Sequence, residues 1–161
     1  MSERYLEGRV ALVTGGASGM GRAMALEFAK AGANVAIGSL LSNKKETKAD
    51  GELVNMPGME EMNKTKGEIE EFGVKAIAVE LDVTSTESCE NFYNEAVKAF
   101  GKVDILANAA GITAEHGVVD HPEGLWRKVM DVNADGPFRM TKLALPGMIE
   151  RKWGRIINIS S

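Results

Sequence analysis

The sequence predicts an α/β fold: a doubly wound parallel sheet in three layers, with helices on both faces. Two observations predict it. Short apolar runs alternate with helical patterns along the whole chain, in the order βαβαβαβαβ. The apolar runs are nearly continuous rather than alternating, which suits strands buried on both faces. A third observation adds a ligand edge. Gly15, Gly19 and Gly21 follow directly on the first run and open the first helix.

The elements follow in order. Arg9–Val13 reads as the first strand, Arg22–Ala31 as the first helix and Asn34–Ile37 as the second strand. The stretch from Ser39 to Lys75 is longer than one crossover helix needs, so Leu40–Met59 is expected to be a surface excursion before a helix over Glu60–Phe72. Met56, Met59 and Met62 recur at helical spacing there, as a stripe packed on the domain or as an apolar wall beside a substrate entrance. Lys44, Lys45 and Lys48 read as a solvated charge run. The third strand is expected at Ala76–Leu81. Thr84-x-x-Glu87 then forms a capping box for a helix running to about Ala99, which Gly101 ends. Lys102–Leu106 is the fourth strand. Pro122 opens a helix around Leu125–Val129, a second helix covers Phe138–Glu150 with Pro146 as a kink, and Arg155–Ile159 is the fifth strand.

A strand that becomes a helix through closely spaced glycines is a phosphate-binding device. Gly15 permits the tight turn, Gly19 lets the backbone approach a pyrophosphate, and Gly21 lets the helix pack against the strand. The helix N-terminus adds free N–H groups and a partial positive charge. Thr14, Gly15, Ser18, Gly19, Met20 and Gly21 therefore outline a dinucleotide site. The other strand ends point to the same edge. Asp82 and Val83 follow the third strand, where Asp82 meets a ligand, caps the next helix, or does both. Asn108, Ala109, Ala110 and Gly111 close the fourth strand, with residues small enough to let a ribose or flat ring reach the backbone. Asn133 lies within a helical stretch, where asparagine is unfavourable unless its amide has a duty.

Composition narrows the classes. The 161 residues make one domain with a sizeable core. A net charge of −4 gives no support to a nucleic acid or an anionic membrane as partner, and no apolar run approaches the ~18 residues of a membrane span. The N-terminus lacks the apolar core of a signal peptide, and the one cysteine, Cys89, allows no internal disulfide. A reducing cytoplasm is the expected compartment. Cys89 falls on the apolar side of its helix with Phe92, Ala96 and Phe100. His116 and His121 sit in a loop with Glu115 at a spacing that fits no dedicated metal site.

With these residues in hand, the chain resembles the short-chain dehydrogenase/reductase family. Thr14-Gly15-x-x-x-Gly19-x-Gly21 is similar to that family's cofactor turn. Leu81-Asp82-Val83-Thr84 is similar to the segment whose acid meets the adenine. Ala107-Asn108-Ala109-Ala110-Gly111 is similar to its Asn-Asn-Ala-Gly, with Ala109 as a mild departure. Val132-Asn133 and Asn158-Ile159-Ser160-Ser161 are similar to segments that supply the helix asparagine and the catalytic serine. The matches occur in order over the whole chain. The resemblance implies a Rossmann-like NAD(P)-binding domain and hydride transfer between the nicotinamide and a small-molecule carbonyl or alcohol. It also implies a homo-oligomer, dimer or tetramer, and no metal.

By that resemblance Ser161 steadies the substrate oxygen and Asn133 holds a water in the proton relay. The family's acid/base tyrosine and its lysine, Tyr-x-x-x-Lys, have no counterpart here: Arg9 and Val97 stand four residues after Tyr5 and Tyr93. The expectation is a dinucleotide-binding domain over residues 1–161, incomplete at its C-terminus, with catalysis completed beyond Ser161 and little stability or activity on its own. The alternative is a non-catalytic NAD(P)-binding module. Ser39 stands 20 residues after Gly19, where an acid would accept from the ribose hydroxyls of NAD. The absent acid tips the expectation towards NADP, with Lys44 or Lys45 available to attract a 2′-phosphate.

Overall fold

The computed structural model describes residues 4–41, 51–53 and 56–160. Five parallel strands form the main sheet: β1 (Val10–Thr14), β2 (Asn34–Ser39), β4 (Ala76–Glu80), β5 (Ile105–Asn108) and β7 (Arg155–Asn158), in the spatial order β4-β2-β1-β5-β7. Two short strands, β3 (Glu52–Leu53) and β6 (Thr113–Ala114), form a separate antiparallel pair that the sequence pattern did not reveal. The helices are α1 (Gly19–Lys30), α2 (Met59–Glu70), α3 (Thr86–Phe100), α4 (Glu123–Met130) and α5 (Gly136–Glu150).

Burial explains the sheet. Every residue of β1 is buried, and successive side chains face opposite layers. Leu12, Ala36 and Leu106 pack with Phe92 and Ala96 of α3 and with Met140 and Ala144 of α5. Val13, Val35, Ile37 and Ala107 pack with Ala25 and Ala29 of α1 and with Met62 and Ile69 of α2. This is the two-faced apolar demand read from the unbroken runs. The methionine stripe divides: Met62 is core, Met59 is exposed and Met56 lies elsewhere, as described below.

The ladder registers align the carboxyl ends of the strands. Thr14 stands opposite Gly38 on one side and Asn108 on the other, and Asn108 stands opposite Asn158. Chain order reverses about β1, whose neighbours are β2 and β5. A crevice at that switch point is where open α/β sheets bind ligands.

Three local expectations need correction. Strand β5 starts at Ile105, not Lys102, because the buried Asp104 turns its carboxylate inward. It accepts the Val10 N–H at 3.0 Å and pairs with Lys102 at 3.0 Å. The cap of α3 is Ser85, whose hydroxyl accepts from the Ser88 N–H at 3.2 Å. Thr84 is engaged one turn earlier, donating its N–H and its hydroxyl to Asp82 Oδ1 at 2.9 and 2.7 Å. The helical stretches around Asn133 are joined by a π-helical turn at Asp131–Asp135, which links α4 directly to α5. Such turns shift side chains off the regular helical face and often mark functional sites.

Cys89 lies fully buried in α3, with Sγ 3.7 Å from the Val83 carbonyl. Burial pushes its thiol up from an ordinary value of 9.0 to about 11, against a smaller opposing pull from Arg139. The folded state holds this proton more tightly than the unfolded one. The associated stability is therefore present below about pH 9 and lost as pH climbs towards 11. Native protein at pH 8 should react with iodoacetamide at least about 100-fold more slowly than unfolded protein. Equal rates in mass-spectrometric labelling would show that the thiol is not held this way.

Candidate active site

At the carboxyl edge of β1 the chain turns through two left-handed glycines, Gly15 at φ +67° and Gly19 at φ +52°. A Cβ on Gly15 would lie 2.9 Å from the Ala110 backbone nitrogen, so the turn and the loop after β5 can touch only with glycine here. A Cβ on Gly21 would fall on the Gly15 carbonyl, and this crowding lets α1 start directly against the turn. Gly16, to which the sequence assigned no role, passes so close to Ile37 of β2 that its Cβ would lie 2.7 Å from that side chain. Gly19 is different. A Cβ there would meet nothing within 4 Å. Ser18 occupies the N-cap position of α1 with extended backbone and makes no side-chain cap. The first N–H groups of α1 therefore face an open space uncapped.

That space belongs to a cleft of about 450 Å³ along the carboxyl edge. One wall is the glycine turn with Ser18, Gly19, Met20 and Gly21. Ser39 and Leu40 stand at the end of β2, Asp82 and Val83 at the end of β4, and Ala109, Ala110 and Gly111 after β5. All of these but Leu40 are residues expected from the sequence, brought together from four separate segments. Ser39 is buried, and its hydroxyl accepts from the Ala17 N–H at 3.1 Å, which ties the end of β2 to the glycine turn. Asp82 lines the cleft and orders its own loop through Thr84, while the capping role falls to Ser85.

Two expected binding residues stand behind the cleft rather than in it. Thr14 is buried, and its Oγ1 accepts from the N–H groups of Ala109 and Ala110, both at 3.1 Å. Asn108 is buried, and its Nδ2 donates to Asn158 Oδ1 at 2.9 Å. Thr14 holds the loop that faces the cleft, and Asn108 ties the end of β5 to β7. Asn133 also acts on that loop: its Oδ1 accepts from the Ile112 N–H at 2.9 Å and its Nδ2 donates to the Ile112 carbonyl at 2.8 Å. The amide placed by the π-turn thus clamps the chain just after Gly111.

The sequence reading missed the far wall, formed by Arg127, Lys128, Asp131 and Val132 of α4 and the π-turn. It also missed Glu52 and Pro57 of the excursion after β2, where Met56 alone of the methionine stripe lines the cleft, as the apolar-wall reading had it. For Glu52 and Pro57 only the length of that excursion hinted at a role. Asp131 is paired with Arg139 at 2.8 Å, and Arg139 also donates to the Val83 carbonyl at 3.0 Å, bracing the wall against the loop after β4. His116, His121 and Trp126 form an edge-to-face chain, with ring centroids 5.6 and 5.9 Å apart, outside the cleft lining. Ser161, Lys44, Lys45 and Lys48 lie outside the described residues. No helix among the described residues is long and apolar enough to cross a membrane.

The family model described as short chain dehydrogenase matches residues 9–57 and 53–161. A short chain dehydrogenase of Pseudocercospora fijiensis is 38% identical over 158 residues, covering 97% of this chain and 46% of its own length. A 3-oxoacyl-[acyl-carrier-protein] reductase of Aquifex aeolicus is 38% identical over 159 residues, covering 99% of this chain and 58% of its own. The crystal structure of NAD+-bound xylitol dehydrogenase superposes with a TM-score of 0.82 at 30% identity, over 97% of this chain and 54% of that one. The chain spans about half the length of these relatives.

Proposed function

This chain belongs to the short chain dehydrogenase family, and from that premise we propose that its carboxyl-edge cleft holds NAD or NADP for oxidoreduction of a small carbonyl or alcohol substrate. The observation that carries this reading is the space over Gly19, which a pyrophosphate can enter and a side chain would fill. When bound, the nicotinamide supplies the hydride chemistry.

The chain's own residues then have separable duties. The N–H groups at Gly19, Met20 and Gly21 meet phosphate, and Ser39 meets the adenosine ribose. Asp82 and Val83 flank the adenine. Ala109, Ala110 and Gly111 offer a flat backbone surface, kept in place by Thr14 and the Asn133 clamp, while Asn108 ties the end of β5 to β7. Ser161 steadies the reacting oxygen, with Asn133 in the proton relay. The proton itself moves on a tyrosine whose phenolate a neighbouring lysine favours, in a Tyr-x-x-x-Lys segment outside residues 1–161. Titrating the protein with NADPH and NADH, followed by fluorescence, tests the reading. Saturable binding is expected, and its absence for both would overturn it.

Within this reading NADP is the preferred dinucleotide, because no acid stands at the end of β2 to repel a 2′-phosphate. Ser39→Asp should move selectivity at least about tenfold towards NAD by like-charge repulsion. A carboxylate can accept the same Ala17 N–H that Ser39 accepts, so the turn keeps its tie. An unchanged ratio of the two dissociation constants would remove Ser39 from this role.

A further inference from the structure

The excursion after β2 brings a buried charge back to the cleft. Gly51 enters it with φ +75°, and its carbonyl accepts from the Glu115 N–H at 2.9 Å. Glu52 and Leu53 then pair with Ala114 and Thr113. Met56 and Pro57 line the cleft, and Gly58 leads into α2 on the opposite face of the sheet. The described parts of this segment therefore meet the cleft twice, at Glu52 of β3 and at Met56 and Pro57 ahead of α2. The Glu52 side chain is only 2% exposed, and its two oxygens lie 2.8 and 3.0 Å from Lys128 Nζ. Lys128 sits one helical turn before Val132, on the far wall of the same cleft.

We propose that Glu52 and Lys128 form a latch that fastens β3 to the α4 wall beside the bound dinucleotide, making them positioning residues for its retention; this rests on the dinucleotide reading above. A two-residue ladder is too short to hold a strand by itself. A buried carboxylate, by contrast, holds its strand to the cation that faces it, because parting the two costs the charge part of its compensation. The pair joins β3 to the α4 wall, so the cleft cannot widen there without breaking it. Neither residue belongs to the glycine turn or the strand ends that meet the ligand. The effect should therefore fall on escape rather than on encounter.

Stopped-flow release of bound NADPH and NADH reads this directly. Glu52→Gln and Lys128→Met should each speed release about tenfold, while the association rate changes little. The double variant should release no faster than the single ones, because each change breaks the same pair. Unchanged release in both single variants, or additive effects in the double variant, would overturn the latch while leaving the dinucleotide reading intact. Failure of the unmodified protein to bind either dinucleotide would overturn both.

Discussion

Gly19→Val is expected to lower dinucleotide affinity by at least about 100-fold, a change of about 2.8 kcal/mol. Two effects act together. Gly19 adopts φ +52°, a left-handed conformation that a β-branched residue enters only with strain. The side chain would also enter the one part of the turn where a Cβ meets no protein atom within 4 Å. Gly19→Asn separates them, because asparagine tolerates left-handed backbone at little cost. The asparagine variant should melt within a few degrees of the unmodified protein and still lose most of its affinity. If it binds NADPH and NADH as tightly as the unmodified protein, the space over Gly19 is not where the phosphates sit. The contrast with Gly21 is physical. There the crowding comes from the Gly15 carbonyl, so a side chain would push α1 off its own turn before any ligand was involved.

The parts of this fold that were legible in the sequence are those set by burial and by backbone conformation. Val10–Thr14 and Asn34–Ser39 are buried almost throughout, and their unbroken apolar runs announce this without reference to any other segment. Gly15, Gly19 and Gly101 all take positive φ, a demand that glycine advertises. Gly15, Gly19, Ser39, Asp82 and Gly111 were legible as one site because they all stand at the same ends of parallel strands. What was not legible depends on pairings with no local signature. Glu52 and Lys128 are 76 residues apart, and each reads alone as an ordinary surface charge. The two-residue strands β3 and β6 are too short to show a period. Thr84 and Ser85 are both competent caps, and the choice fell to Ser85 because Asp82 engages Thr84. Asn133 showed that an amide within a helical stretch needed a partner. Its partner, the Ile112 backbone, could be found only from the π-turn that aims it.

The last expectation concerns the end of β7. Ser161→Ala should lower kcat about 100- to 1000-fold while the dinucleotide dissociation constant changes less than about twofold. The argument starts from register. Asn158 stands opposite Asn108, and the Ile159 N–H donates to the Asn108 carbonyl at 3.2 Å, so sheet pairing persists to the carboxyl edge. The described chain therefore follows β7 to the carboxyl edge beside Asn108, the edge where the reading proposed above puts the substrate. A hydroxyl there can donate to an oxygen that gains charge during reduction of a carbonyl, an interaction that strengthens as the reaction proceeds and so appears in kcat rather than in cofactor affinity. Ser160, which is exposed, is the control: Ser160→Ala should change kcat less than about threefold. The measurement is steady-state turnover of the protein with a carbonyl substrate and reduced dinucleotide, beside a fluorescence titration of each variant. If Ser160→Ala is the damaging change, the register assigned to the serine pair is off by one residue. If Ser161→Ala weakens dinucleotide binding as much as turnover, that hydroxyl holds the cofactor and has no special part in the transition state.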